Sequence, residues 1–105
     1  MPWGHLVGEP RPDTWQRDPK TRPAVVLTAD ALNRARRTVV VVPLSTGPTP
    51  RPPIVVATPS AGDESVAVCD QVRAIDKGRL TRRQGQLARA DMRAVEDGVR
   101  AVLEL

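Results

Sequence analysis

Aromatic side chains are nearly missing: the 105 residues include two Trp, no Tyr and no Phe. That excludes a base-stacking platform of the RRM kind. Cysteine is represented only by Cys69 and histidine only by His5. One cysteine permits neither an intrachain disulfide framework nor a multi-cysteine zinc site. One histidine permits no two-histidine acid–base pair within a chain. Long apolar runs are missing too, for the longest, Val39 to Leu44, is strand-sized and includes Pro43. A membrane-spanning helix needs about 18 or more consecutive apolar residues and is not expected. The opening Met1-Pro2-Trp3-Gly4-His5 lacks the basic-then-apolar layout of a secretory signal, so the expected location is cytoplasmic. No G-x-x-x-x-G-K phosphate loop and no G-x-S-x-G elbow occurs. No His/Cys/Asp/Glu set has metal-ligand spacing, and Asp63-Glu64 reads as a solvated turn. Neither metal nor cofactor is expected.

Lysine is scarce as well. Of 16 cations only Lys20 and Lys77 are Lys, against 12 acids, for a net charge of +4 and a pI near 10.5. Arginine suits planar, forked recognition of phosphate, so a polyanionic partner fits. The same Arg-, Ala-, Val- and Pro-rich composition is also what a GC-rich genome encodes. Residues 1–105 have the length of one domain with one modest core.

All 11 prolines lie at or before Pro59, which assigns the long irregular loops to the first half. Thr46 to Pro53 reads as a surface loop between strands. Ala24 to Thr28 and Thr38 to Leu44 are β-branched runs apolar enough to be buried on both faces. Ile54 to Ala57, Ser65 to Cys69 and Val72 to Ile75 are further strands, with a turn at Asp76-Lys77-Gly78. Leu80 to Leu87 completes the set, with Gly85 marking a bulge or close approach. Gly4 to Gly8 is a marginal first strand, and Glu9 to Lys20 reads as a loop. Ala29 to Ala35 allows two helical turns. Met92, Val95, Val99, Val102 and Leu103 form an apolar stripe on a helix from about Arg89 to the end. Six or seven short, mostly antiparallel strands with a short inserted helix and a C-terminal helix predict a mainly β, half-open barrel closed by that helix.

The polar residues that stand out sit at strand ends. Arg22-Pro23 precedes one buried strand, Ser45-Thr46 follows the other, and Gln71 lies where two later strands meet. If the two buried strands are antiparallel neighbours, Arg22 comes near Ser45. A guanidinium beside a hydroxyl is a sensible site for a phosphate or a phosphorane. Plain surface residues would follow the same pattern.

The order of these blocks resembles the MazF/PemK family of toxin endoribonucleases. The resemblance is carried by Thr21-Arg22-Pro23-Ala24-Val25-Val26-Leu27-Thr28, Asn33, and Val39 to Thr46. It continues through Val68-Cys69-Asp70-Gln71-Val72-Arg73-Ala74-Ile75-Asp76, Leu80, Gly85 and Leu87, then Val95 to Leu105. It covers about residues 21–105. It implies a homodimer of SH3-like half-barrels that cuts single-stranded RNA and is silenced by a small MazE-like antitoxin with an acidic disordered tail. Arg22 matches the family's catalytic Arg. The catalytic hydroxyl matches Ser45, in a Ser-Thr pair where the family has Thr-Ser, so Ser45 and Thr46 are both candidates. Gln71 matches a Gln of the RNA groove.

The N-terminal segment departs from the family pattern. Glu9 to Lys20 holds Arg11, Trp15 and Arg17 where small and acidic residues are usual. Trp15 could stack on a base, with Arg17 beside it on the RNA path; a loop Trp packed flat on its own barrel is the plainer reading. RNA can be cut without metal, by attack of its own 2′-OH on the adjacent phosphorus. In that scheme Arg22 meets the scissile phosphate, Ser45 or Thr46 bonds a phosphate oxygen, and His5 is an acid only if it points inward. Two other readings use the same fold: a CcdB-like toxin that binds a topoisomerase, and a non-cleaving RNA-binding module.

Overall fold

The most apolar stretch of the chain becomes its central strand. The computed structural model describes residues 14–17, 23–28, 34–80 and 83–105. Within them seven strands form: β1 (Thr14–Arg17), β2 (Pro23–Val26), β3 (Thr38–Ser45), β4 (Val55–Ala57), β5 (Val66–Val68), β6 (Arg73–Asp76) and β7 (Arg83–Gln86). The C-terminal helix spans Arg89–Leu103. The sheet order is β4-β5-β3-β2-β1-β7, with β6 also on β3, and every described pairing is antiparallel. The sheet is open rather than closed, as a half-barrel should be.

β3 serves two neighbours on one edge. Its first half pairs with β6, from Thr38↔Asp76 to Val41↔Arg73, and its end pairs with β5 at Leu44↔Ala67 and Ser45↔Val66. β2 covers the other edge, with Ala24↔Pro43 and Val25↔Val42. Side chains alternate between the two faces of a strand, so β3 divides its apolar residues between two clusters. Val42 and Leu44 join Val25, Val56, Ala67, Cys69, Met92 and Val95 beneath the helix. Val39 and Val41 join Ala24, Val26, Ile75 and Leu80 on the opposite face. Burial on both faces is what the unbroken β-branched runs called for.

One segment read as loop is a strand. β1 lies within the span Glu9 to Lys20 and is paired on both sides, to β2 and to β7. Thr-Trp-Gln-Arg has no alternation to announce it and stands among prolines. Its partners, close on one side and distant on the other, supply the ladder. Trp15 is the Cα partner of both Val25 and Gly85. The register with β7 then skips a residue, as Gln16 pairs with Arg83, so Gly85 does mark an irregularity. Of the inserted helix only Arg34 and Ala35 lie within the described residues, and both are helical. Gly4 to Gly8 lies outside them.

The C-terminal helix is capped from a distance. Its first residue follows Ala88, which offers no capping side chain. Ser60, in a short 3₁₀ turn after β4, supplies the cap instead. Its Oγ accepts the Ala88 N–H at 2.9 Å and donates to Asp91, whose Oδ2 also accepts the Ser60 N–H at 2.9 Å. Asp91 stands in the first turn, where the helix dipole favours a carboxylate. Arg100 pairs with Asp97 at 3.5 Å, both largely exposed, a contact worth little. Cys69 is fully buried, with Sγ 3.7 Å from the Val95 carbonyl. Burial, aided by the Asp70 charge, pushes its thiol up to about 11. It stays protonated at neutral pH and is no nucleophile.

Candidate functional site

Alternation along β3 sets Ser45 on the face away from the helix, in the row of Val41 and Pro43. Ser45 is half-buried and its backbone is fixed by the pair with Val66. Its Oγ accepts the Gly47 N–H at 3.4 Å, which leaves the hydroxyl proton available to an incoming acceptor. Thr46 is exposed. It begins the wall of a cleft with a volume of about 300 Å³ whose other wall holds Ala57, Asp63, Glu64, Ser65 and Val66.

A second cleft, of about 550 Å³, lies along the same face. Its lining includes Arg51, Ile54, Val55, Val68, Asp70 and Gln71. Val55 and Ala57 share one face of β4, Val66 and Val68 share that face of β5, and the register ties both to Ser45. The step from Val66 to Val68 is about 7 Å of strand. The two clefts therefore follow one another along one surface, with Thr46 at one end and Gln71 at the other. Gln71 closes the 3₁₀ turn Cys69–Gln71 and is exposed. Ser45, Thr46 and Gln71 are thus brought to one surface.

Trp15 and Arg17 stand in β1, separated from β3 by β2. Arg17 pairs with Pro23, which puts its position at the same end of the sheet as Ser45; Trp15 sits two residues further in. Arg22 and His5 lie outside the described residues. Among the described residues no three His, Cys, Asp or Glu side chains gather as a metal site.

Sequence reading missed one contributor. Ser65 is 6 % exposed and lines the first cleft, while Thr58 beside it is 0 % exposed. Thr58 Oγ1 donates to Ser65 Oγ at 2.9 Å, and the Thr58 N–H bonds the Ser65 carbonyl at 2.9 Å. These bonds close the loop that carries Asp63 and Glu64, the acidic wall. A Thr and a Ser seven residues apart give no pattern to notice. Ser65→Ala leaves a buried hydroxyl without its acceptor, which typically costs about 1–3 kcal/mol. We expect the lower half of that range, read as a lowered urea midpoint at unchanged slope.

Comparison with known proteins agrees with this architecture. The sequence pattern of the family described as PemK-like, MazF-like toxin of type II toxin–antitoxin systems matches residues 9–103. The chain belongs to that family. Among solved structures, an endoribonuclease from a mycobacterial species superposes with a TM-score of 0.83 at 24% identity, covering 92% of this chain and 93% of that one. A mycobacterial endoribonuclease in complex with its cognate antitoxin gives 0.80 at 20% identity, covering 91% and 96%. A MazE–MazF complex from Deinococcus radiodurans gives 0.79 at 21% identity, covering 90% and 96%. These likenesses establish the toxin's fold. Its chemistry has to be argued from its own residues.

Proposed function

We propose that this toxin is an endoribonuclease that cleaves single-stranded RNA sequence-selectively and without a metal ion, acting as a homodimer in the cytoplasm. MazF-type toxins are endoribonucleases, and similar folds carry that description. The observation that carries the reading for this chain is the one surface along which Ser45, Thr46 and Gln71 stand beside two clefts. The guanidinium of Arg22 would bind the scissile phosphate, and Ser45 or Thr46 would donate to a phosphate oxygen. Preorganised donors of this kind stabilise the charge that develops as the 2′-OH attacks phosphorus. Gln71 binds RNA at the far end of the surface. Arg17, at the near end, offers a further phosphate contact, and Trp15 a stacking surface. With a net charge of +4, the toxin attracts the acidic tail of a small antitoxin as it attracts RNA.

Cleavage of a single-stranded RNA in the presence of EDTA tests the reading. Activity should persist, with products bearing a 5′-OH and a cyclic or 3′ phosphate. Strict Mg²⁺ dependence or 5′-phosphate products would overturn it.

A further inference from the structure

The cleft that Thr46 borders offers its contents two carboxylates and one hydroxyl proton. Asp63 and Glu64 line it, and an ionised carboxylate only accepts hydrogen bonds. Ser65, next in the chain, is 6 % exposed and lines it too. Its Oγ accepts the hydroxyl of the wholly buried Thr58 at 2.9 Å. The proton of Ser65 itself meets no acceptor among the described residues. A hydroxyl this buried wants one, and the cleft is the opening that Ser65 lines. The wall is also set before any ligand arrives. The Thr58 N–H bonds the Ser65 carbonyl and the Ser65 N–H bonds the Gly62 carbonyl, each at 2.9 Å. Gly62 turns the loop at a φ of 142°, which favours glycine. Such preorganisation lowers the ordering cost of binding. Across the cleft stand Thr46, Pro48 and Pro50, all uncharged. Its volume of about 300 Å³ is at the small end for a ligand site.

We propose that this cleft reads one base of the substrate RNA, a guanine beside the scissile phosphate, through Asp63, Glu64 and the Ser65 hydroxyl. The inference rests on the endoribonuclease reading and deepens it, for it names the base at which the toxin selects. Two carboxylates repel a phosphate. The backbone therefore passes at the rim, where Thr46 stands, and what enters is a base. Single-stranded RNA leaves the Watson–Crick edges free to be read in this way. Guanine presents O6, N1–H and N2–H in a row, one acceptor beside two parallel donors. One carboxylate takes both donors at once, in the geometry by which it takes an Arg fork, and the Ser65 hydroxyl donates to O6. Adenine and cytosine put a ring acceptor where guanine has N1–H, so they set acceptor against acceptor. Uracil has a single N–H flanked by two carbonyls. A Lys or Arg of a protein partner would satisfy the carboxylates and leave the Ser65 proton without an acceptor.

The test measures binding of uracil-rich single strands of about six nucleotides, a length typical of such sites, made uncleavable by 2′-fluoro sugars. One position carries guanine, adenine, inosine or 7-deazaguanine. Wild type should bind the guanine strand at least about tenfold more tightly than the adenine strand, as a bidentate base contact gives. Inosine, which lacks the N2 amino group, should fall between them. 7-Deazaguanine, altered on the opposite edge, should match guanine. In Asp63→Asn/Glu64→Gln, with folding checked by melting curves, guanine and adenine strands should bind within about twofold of each other. End mapping on a random-sequence RNA should show guanine at a nucleotide flanking the wild-type cut, and a loss of that preference in the variant. Equal binding of the guanine and adenine strands by wild type overturns the inference. So does a variant that binds every strand more tightly by the same factor, because the acids would then only repel RNA. Strands bound alike, beside a Lys- and Arg-rich peptide that wild type binds and the variant does not, would give the cleft to a protein partner instead. Selection of guanine through these acids by a protein that cuts nothing sinks the endoribonuclease reading alone.

Discussion

Replacing Arg22 by Ala is expected to lower RNA cleavage by about 10²–10³-fold, the usual cost of removing one preorganised oxyanion donor. Melting temperature should stay close to that of wild type, since the described β2–β3 ladder runs from Ala24↔Pro43 to Val26↔Val41. Arg22→Lys should be nearly as damaging, because an ammonium keeps the charge and loses the planar fork. The two hydroxyls should rank unequally. Ser45 is locked by its pair with Val66 and oriented by the Gly47 N–H, so Ser45→Ala should cost more than Thr46→Ala. The measurement is initial cleavage rate on a single-stranded substrate, with folding checked in parallel. Toxicity that persists in a folded Arg22→Ala protein would favour inhibition of a partner protein. Wild type that binds RNA without cutting it would favour a non-cleaving module.

What could be read in the sequence followed from local chemistry. β2 and β3 were legible because Ala24–Val26 and Val39–Val42 are β-branched runs with no polar face, which only a doubly buried strand accommodates. The helix was legible from Met92, Val95, Val99 and Val102. The end-of-strand positions of Ser45 and Gln71 followed once those strands were set. β1 was not legible, because a polar four-residue strand is held by partners on both edges rather than by its own pattern. The cap of the helix was not legible either, since Ser60 and Asp91 meet across 31 positions. The same holds for the Thr58–Ser65 pair and for the pairing of Thr38 with Asp76. Each depends on a register, and register is fixed by the whole sheet.

Gly98 reverses what its neighbourhood in the sequence implies. In mid-helix it costs about 1 kcal/mol against Ala, so Gly98→Ala looks stabilising from the sequence. The structure buries it against Pro53 and Cys69. A Cβ built there would collide with the Pro53 carbonyl oxygen and stand 2.5 Å from Cys69 Sγ. Neither neighbour can swing aside: one is backbone, and the other is fully buried with its sulfur against the Val95 carbonyl. The helix would have to lift from Cys69, Val56 and Ala67, the cluster that Met92 and Val95 complete. Overpacking of this kind costs about 1–3 kcal/mol, occasionally more, and here it should reach about 3 kcal/mol even after the helix-propensity gain. Urea unfolding should show the loss as a lower midpoint with an unchanged slope. Pairing Gly98→Ala with Cys69→Ala removes the sulfur but leaves the Pro53 carbonyl, so it should recover only part of the loss. A Gly98→Ala protein as stable as wild type would mean that the helix does not pack this closely.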